Sequence, residues 1–265
     1  MSDLPTYEIY AIRYAEMANR RAHDNFIFPD DHDALMPIDY FVWIAVGGGR
    51  TFVIDTGFDA AMAKQRGRTL VRSPAEGLRA VGFDPATIED VIITHLHYDH
   101  AGGLGFFPKA RFHLQDREMM FATGRHMCHG VMRHAFEADH VVEMVRAVYA
   151  ERVAFHDGQS TLAPGLSLHH IGGHTMGLQA VRLWTRRGWV VLASDASHFY
   201  GNIEKASPFP LVFNVGEMLE GYGTLRRLAA SPAHIVPGHD PQVMARYPAV
   251  KGRDGIAVRL DLDPI

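Results

Sequence analysis

At 265 residues the chain is long enough for one large α/β domain or two small ones, and 47% hydrophobic residues exclude a disordered chain. A formal charge of −4, with no cation run longer than a pair such as Arg20-Arg21 or Arg186-Arg187, leaves no basic stripe and argues against a nucleic-acid partner. One cysteine, Cys128, excludes an internal disulfide, and no apolar run approaches the roughly 20 residues that span a bilayer.

The opening Met1-Ser2-Asp3-Leu4-Pro5-Thr6 lacks the basic end and apolar stretch of a signal peptide, so a cytoplasmic protein with no membrane contact is expected. No linker divides the chain, which predicts a single domain over 1–265. The first strand-like runs are Tyr40–Val46 and Thr51–Asp55, joined by a turn at Gly47-Gly48-Gly49; with little polar alternation, they read as a hairpin covered on both faces. A helix follows at Ser73-Pro74-Ala75-Glu76, with Ser73 as cap, Pro74 in the first position and Glu76 closing a capping box. Asp84-Pro85 opens a short helical turn. Val91–Thr94 is a β-branched strand ending at His95, and Ala110–Leu114 is another strand. Asp116 to Val153 reads as mostly helical and is rich in Met and His. Strands return at Leu166–Ile171, Gln179–Trp184 and Trp189–Asp195, then a helical stretch around Gly216–Ala230 and a last strand at His234–Pro237. Two apolar strands ending in aspartate, at Asp55 and Asp195, and two ending in histidine, at His95 and His239, suggest similar halves. Strands interleaved with helices place sheets in the middle and helices outside.

The 17 histidines are the oddity of the composition. His95-Leu96-His97-Tyr98-Asp99-His100 puts four metal-ligand types into six residues at the end of a strand, a donor set that suits Zn, Fe, Mn or Co. His95 and His97 share a face in an extended segment, because side chains repeat every second residue. The following Ala101-Gly102-Gly103 lets the backbone turn, so that Asp99 and His100 address a second ion. Further ligands must come from other strand ends. Three candidates lie there: His174 in a glycine-flanked loop, Asp195 as a bridging carboxylate, and His239 after Pro237-Gly238. His126, Cys128, His129, His134 and His140 match no common zinc spacing and read as a His-rich helical lid over the pocket. His169 and His170 point to opposite faces of a strand and are read as structural.

The succession of HLHYDH, GGHTMG, SDAS and PGHD, preceded by FVIDTG at Phe52–Gly57, resembles the metallo-β-lactamase superfamily of hydrolases over about residues 40–245. The resemblance implies an αββα sandwich, two mixed sheets with helices on the outer faces, and a site at one sheet edge. It implies two divalent cations: one on His95, His97 and His174, the other on Asp99, His100 and His239, with Asp195 bridging and Asp55 bracing the metal loop. Zinc is the expected ion, with iron, manganese and cobalt as alternatives. Two cations roughly 3.5–4 Å apart can share a water and lower its pKa for attack on a carbonyl. Asp99 is then the candidate for passing a proton to the leaving group.

Within the superfamily the chain is most similar to the N-acyl-homoserine lactonase group, through MPIDYFVWIA (Met36–Ala45), HLHYDHAGG (His95–Gly103) and the DAS after the bridging position. That similarity implies opening of an N-acyl-homoserine lactone or related lactone, with Met36, Phe41, Tyr98 and the Met119–Met132 stretch as apolar surface for an acyl tail. It also implies a homodimer. Where those enzymes place a tyrosine three residues after the bridging aspartate, this chain has His198, with Tyr200 two positions later; either is a candidate contact to the substrate carbonyl. The rival readings are hydrolysis of another cyclic ester, amide or thioester, and a mononuclear iron dioxygenase of sulfur compounds, which would hold one metal per chain.

Overall fold

The computed structural model describes residues 4–28 and 33–265; Met1, Ser2 and Asp3 of the opening stretch lie outside them. In chain order the strands are β1 (Glu8–Met17), β2 (Ile38–Gly47), β3 (Arg50–Ile54), β4 (Thr69–Leu70), β5 (Asp90–Ile92), β6 (Arg111–Gln115) and β7 (Val153–His156). They continue with β8 (Ser160–Ala163), β9 (Leu166–His170), β10 (Gln179–Thr185), β11 (Gly188–Ser194), β12 (Ile235–Pro237) and β13 (Ala257–Arg259). One sheet runs β13-β1-β2-β3-β5-β6-β7 with β4 beside β1, and the other runs β12-β11-β10-β9-β8. Both are mixed: β1, β2 and β3 pair antiparallel while β3, β5, β6 and β7 are parallel, and β11 pairs antiparallel with β10 but parallel with β12.

The expected hairpin forms from β2 and β3, and Gly48 and Gly49 take φ of 59° and 75°. A two-residue turn of that hand needs positive φ at both positions, which glycine adopts at no steric cost. Every residue of Ile38–Ala45 is buried, and the alternation of the strand divides them between two cores. Tyr40, Val42 and Ile44 pack outward with Phe58, Leu78 and Met144, whereas Phe41, Trp43 and Ala45 pack inward with Leu168, Val181 and Leu192 of the second sheet. On the far side of that sheet, Ala180, Val191 and Ala193 meet Met218, Tyr222 and Leu225 of the helix Val215–Leu228. Helix, sheet, sheet and helix are therefore stacked as the αββα sandwich requires.

Pro74–Ala80 is helical, and the Ser73 N–H donates to Glu76 Oε2 at 3.1 Å. The expected helical region after Asp116 is broken into Asp116–Ala122, Arg125–Cys128, Gly130–Arg133 and Ala138–Tyr149, followed by β7. No helix among the described residues is long and apolar enough to cross a membrane.

Candidate metal centre

The parallel strands β3 and β5 end at one sheet edge, and β11 and β12 end at the facing edge of the other sheet. At each edge the first strand leaves through left-handed backbone, at Asp55 (φ 61°) and at Ser194 (φ 46°), which turns the following residues into the gap between the sheets. After β5 the chain runs without regular structure to His97, which is extended, and then Tyr98–Ala101 forms a single helical turn. This turn starts at Tyr98, not at the expected Ala101-Gly102-Gly103, and it separates Asp99 and His100 from His95 and His97. The glycines serve close packing instead: a Cβ on Gly102 would lie 2.5 Å from the Tyr98 carbonyl oxygen, and one on Gly103 2.5 Å from that of Thr56.

All seven candidate ligands are buried and converge in two groups. His97 Nδ1 stands 3.0 Å from both His95 Nε2 and His174 Nε2, and His174 Nε2 lies 3.3 Å from Asp195 Oδ2. On the other side, Asp195 Oδ1 lies 3.3 Å from His100 Nε2 and 3.1 Å from His239 Nε2, each of which is 3.6 Å from Asp99 Oδ2. The two oxygens of Asp195 thus face the two sets separately.

The donor chemistry fits a cation in each set. His174 Nδ1 donates to the Leu211 carbonyl at 2.7 Å and His239 Nδ1 to the Asp39 carbonyl at 2.8 Å. A carbonyl only accepts, so in the neutral form of each ring the proton sits on Nδ1 and Nε2 turns a bare lone pair inward. For His239 the Asp195 and Asp99 carboxylates push the pKa up, and ligation would displace the second proton. His100 Nδ1 is tied in the same way to Asp55 Oδ2 at 2.8 Å. His100 Nε2 and Asp195 Oδ1 are fully buried and have no hydrogen-bond partner among the described residues, a costly arrangement that ligation of a cation would relieve. Burial and the neighbouring histidines hold the His95 and His97 rings far below the usual imidazole range, in the neutral form that ligation needs. For His100 burial acts the same way, but the carboxylates of Asp195, Asp99 and Asp55 outweigh it and push its pKa up.

The profile of the Metallo-beta-lactamase superfamily matches residues 38–239, more than half of the chain. The chain belongs to this superfamily. It is 31% identical over 179 residues to an N-acyl homoserine lactonase of Azorhizobium caulinodans, covering 66% of each chain. With an N-acyl homoserine lactonase of a Bacillus species it shares 30% identity over 133 residues, 50% of this chain and 48% of the relative, so the match spans about half of that relative's length. A solved quorum-quenching N-acyl homoserine lactone lactonase has the same fold, with TM-score 0.75 and 21% identity over 91% of this chain and 95% of that one.

A cavity of about 310 Å³ opens over the centre; Tyr98, Asp99, Asp195 and His198 line it. The His198 ring lies flat on Phe209, with centroids 3.4 Å apart, and its Nε2 donates to Asp195 Oδ2 at 3.0 Å. Three other expected contacts lie elsewhere. Phe41 is buried between the sheets, because strand alternation gives the cavity Ile38 and Tyr40 and sends position 41 to the opposite face. Met36 and Tyr200 border a separate cavity of about 270 Å³. Tyr200 starts a helix there, with its backbone N–H on Asp240 Oδ2 and its ring under the Arg246 guanidinium.

The His-rich segment does border the site. His134 lines the main cavity, and Val131 and Met132 line an adjoining cleft of about 40 Å³ with Phe121, Leu211 and Phe213. Among the described residues, none of its histidines joins a ligand cluster. His169 and His170 are each hydrogen bonded, to Ser167 Oγ and to the Met176 carbonyl.

Glu118 is the residue that sequence reasoning missed. It lies fully buried on the helix Asp116–Ala122, and its carboxylate accepts from the Leu96 N–H (2.9 Å), the Thr175 hydroxyl (2.6 Å) and the Gly177 N–H (3.0 Å). One side chain therefore fastens the loop carrying His95 and His97 to the loop carrying His174. The approach is so close that a Cβ on Gly177 would lie 2.1 Å from the Glu118 backbone nitrogen. The sequence holds one trace of this contact, the glycine itself.

Proposed function

We propose that this chain is a dinuclear metal-dependent hydrolase that opens a lactone ring, with zinc as the resident ion. The observation that carries the reading is the division of Asp195, whose Oδ2 faces one set of imidazoles while its Oδ1 faces the other. The lactonases matched in sequence support the choice of a cyclic ester. Divalent cations held by these residues supply a water of lowered pKa and a Lewis acid for the ester carbonyl.

The remaining work falls to the chain's own groups. Asp99 reaches the cavity wall beside His100 and His239, where its carboxyl can carry a proton to the departing alkoxide oxygen. His198, at the position expected to contact the carbonyl, borders the cavity and holds Asp195 in place. The adjoining cleft, lined by Phe121, Met132 and Phe213, offers apolar surface for an acyl substituent.

The test is a pH-stat screen of the metal-loaded protein on lactones, esters, thioesters and cyclic amides. Proton release on lactones, with two ions per chain by elemental analysis, is expected; silence on every lactone with turnover elsewhere overturns the reading. Asp99→Asn should remain folded and lose most turnover, and wild-type kcat in that variant removes Asp99 from the scheme.

A further inference from the structure

Three arginines, Arg20, Arg66 and Arg68, border the same cavity as Asp99, Asp195 and His198. They are not equivalent. Arg66 pairs with Glu137 and donates to the His134 carbonyl, so its charge is matched within the fold. Arg68 has only neutral acceptors: its Nε donates to the Tyr98 hydroxyl at 3.1 Å and its Nη1 to the Arg66 carbonyl at 2.7 Å. Arg20 is held likewise, Nε to Asn25 Oδ1 at 2.6 Å and Nη2 to the Asp24 carbonyl at 2.9 Å. Among the described residues neither Arg20 nor Arg68 forms an ion pair, and each keeps one terminal amino group, Nη1 of Arg20 and Nη2 of Arg68, without an acceptor.

The acidic groups of the cavity form no ion pair with these charges among the described residues, and Asp99 acts on Arg68 only from beyond ion-pair distance. Asp99 and Asp195 face the ligand histidines, and the Asp24 carboxylate accepts from the Arg21 N–H and lies 3.3 Å from His23. Two half-buried guanidinium groups that line one cavity without an ion pair leave a positive wall there, which suits a bound anion. Each group is fixed by two hydrogen bonds, so the free amino groups are pre-oriented for an oxygen acceptor. Guanidinium forks match carboxylate and phosphate geometry. A neutral lactone with an apolar tail uses none of this.

We propose that the substrate taken by this cavity carries an oxyanion, a carboxylate or a phosphate, held by Arg20 and Arg68 while its ester group reaches the metal centre. The second half of that statement rests on the lactone reading above; the first does not.

The two parts separate experimentally. Calorimetric affinities of the metal-loaded chain are compared for glutarate, 3-phosphonopropionate and the singly charged glutaramate at one ionic strength. At least one doubly charged probe should bind about tenfold more tightly than glutaramate, as a charge-assisted contact provides. The tighter of the two identifies carboxylate or phosphate as the preferred group. Arg68→Met and Arg20→Met should each close the gap; Arg20→Met keeps the test available if loss of the bond to Tyr98 unfolds the Arg68 variant. Equal affinity for all three probes, or a gap that survives both substitutions, overturns the proposal. Turnover is read separately on γ-butyrolactone and its γ-carboxylate. A persistent glutarate gap with both lactones untouched sinks the lactone reading and leaves the oxyanion site standing.

Discussion

The two ligand sets meet at Asp195 but are assembled from different chemistry. The first, His95, His97 and His174, has no carboxylate except the shared one; the second adds Asp99 to His100 and His239. Behind each set stands one buried carboxylate that is not a ligand. Glu118 joins the two loops of the first set through Leu96, Thr175 and Gly177, and Asp55 holds the second through His100 Nδ1 while also accepting from the N–H and hydroxyl of Thr94 beside His95. Both are fully buried, and burial pushes both pKa values up even though the surrounding donors pull them down. A ligand loop in a gap between sheets has little secondary structure to fix it, and an acceptor of several N–H and O–H donors does that work.

The sharpest break of the comparison is at the point the sets share. Asp195→Ala should release both ions and reduce turnover to background, as elemental analysis and the pH-stat would show. Retention of a full complement of metal in that variant would mean that the two sets do not depend on a common carboxylate. Next in size are His97→Ala and His239→Ala, each expected to empty its own set and leave one ion per chain. Loss of both ions from either would show that the sets fill only together.

The second set's brace was legible in the sequence and the first set's was not, for a physical reason. Asp55 ends an apolar strand in the FVIDTG run, and all seven ligands also follow strand ends or glycines, where a polar side chain stands out. Glu118 sits in DREMMFA, where a glutamate in a first helical turn reads as an ordinary partner of the helix dipole. Its role depends on where β6 and the loop Gly172–Gly177 come to lie, and no local pattern encodes that. The strand β1 carries little sequence signal for a related reason. Ile9 and Ala11 pack between the sheets while Ile12, Tyr14 and Ala15 pack in the outer core, and the register shift between Arg13 and Ala15 moves the outward face from even to odd positions, so the period-two signal cancels. Sheets with helices outside were legible nonetheless, because the later strands are short, apolar and cleanly bounded; the αββα order itself came only with the resemblance carried by the HLHYDH run. Phe41, expected as apolar surface for the substrate, lies on the face of its strand opposite the cavity-lining Tyr40, so the strand is as expected and the face is not.

Exchanging the braces one at a time sharpens the comparison further. Asp55→Asn should weaken metal at the second set and Glu118→Gln at the first, each by about 10–100-fold, the usual cost of losing a hydrogen-bonded support behind a ligand. Stepwise chelator titration with a metal-sensitive dye resolves the two sites. If either substitution weakened both sites equally, the pairing of one brace with one set would be wrong. In the glutamine variant the new amide nitrogen must face at least one of the three donors now aimed at the carboxylate, so rotating the amide does not restore the contacts.

The smallest expected effect comes from Thr175→Val, which keeps the shape of the side chain and removes one donor to Glu118 Oε2. That oxygen retains the Gly177 N–H, and Oε1 retains the Leu96 N–H, so the carboxylate is left short of one partner in a fully buried place. The metal-free protein should lose about 1–3 kcal/mol in urea denaturation. Metal affinity at the first set should fall by less than in Glu118→Gln, because two of the three ties survive. The second set should be untouched, since Thr175 has no bond to Asp55 or to His100. Its counterpart Thr94 gives no such clean separation, because its hydroxyl contacts both Asp55 Oδ2 and His95 Nδ1. A drop at both sites in Thr175→Val would therefore place the coupling in Asp195 and not in the braces.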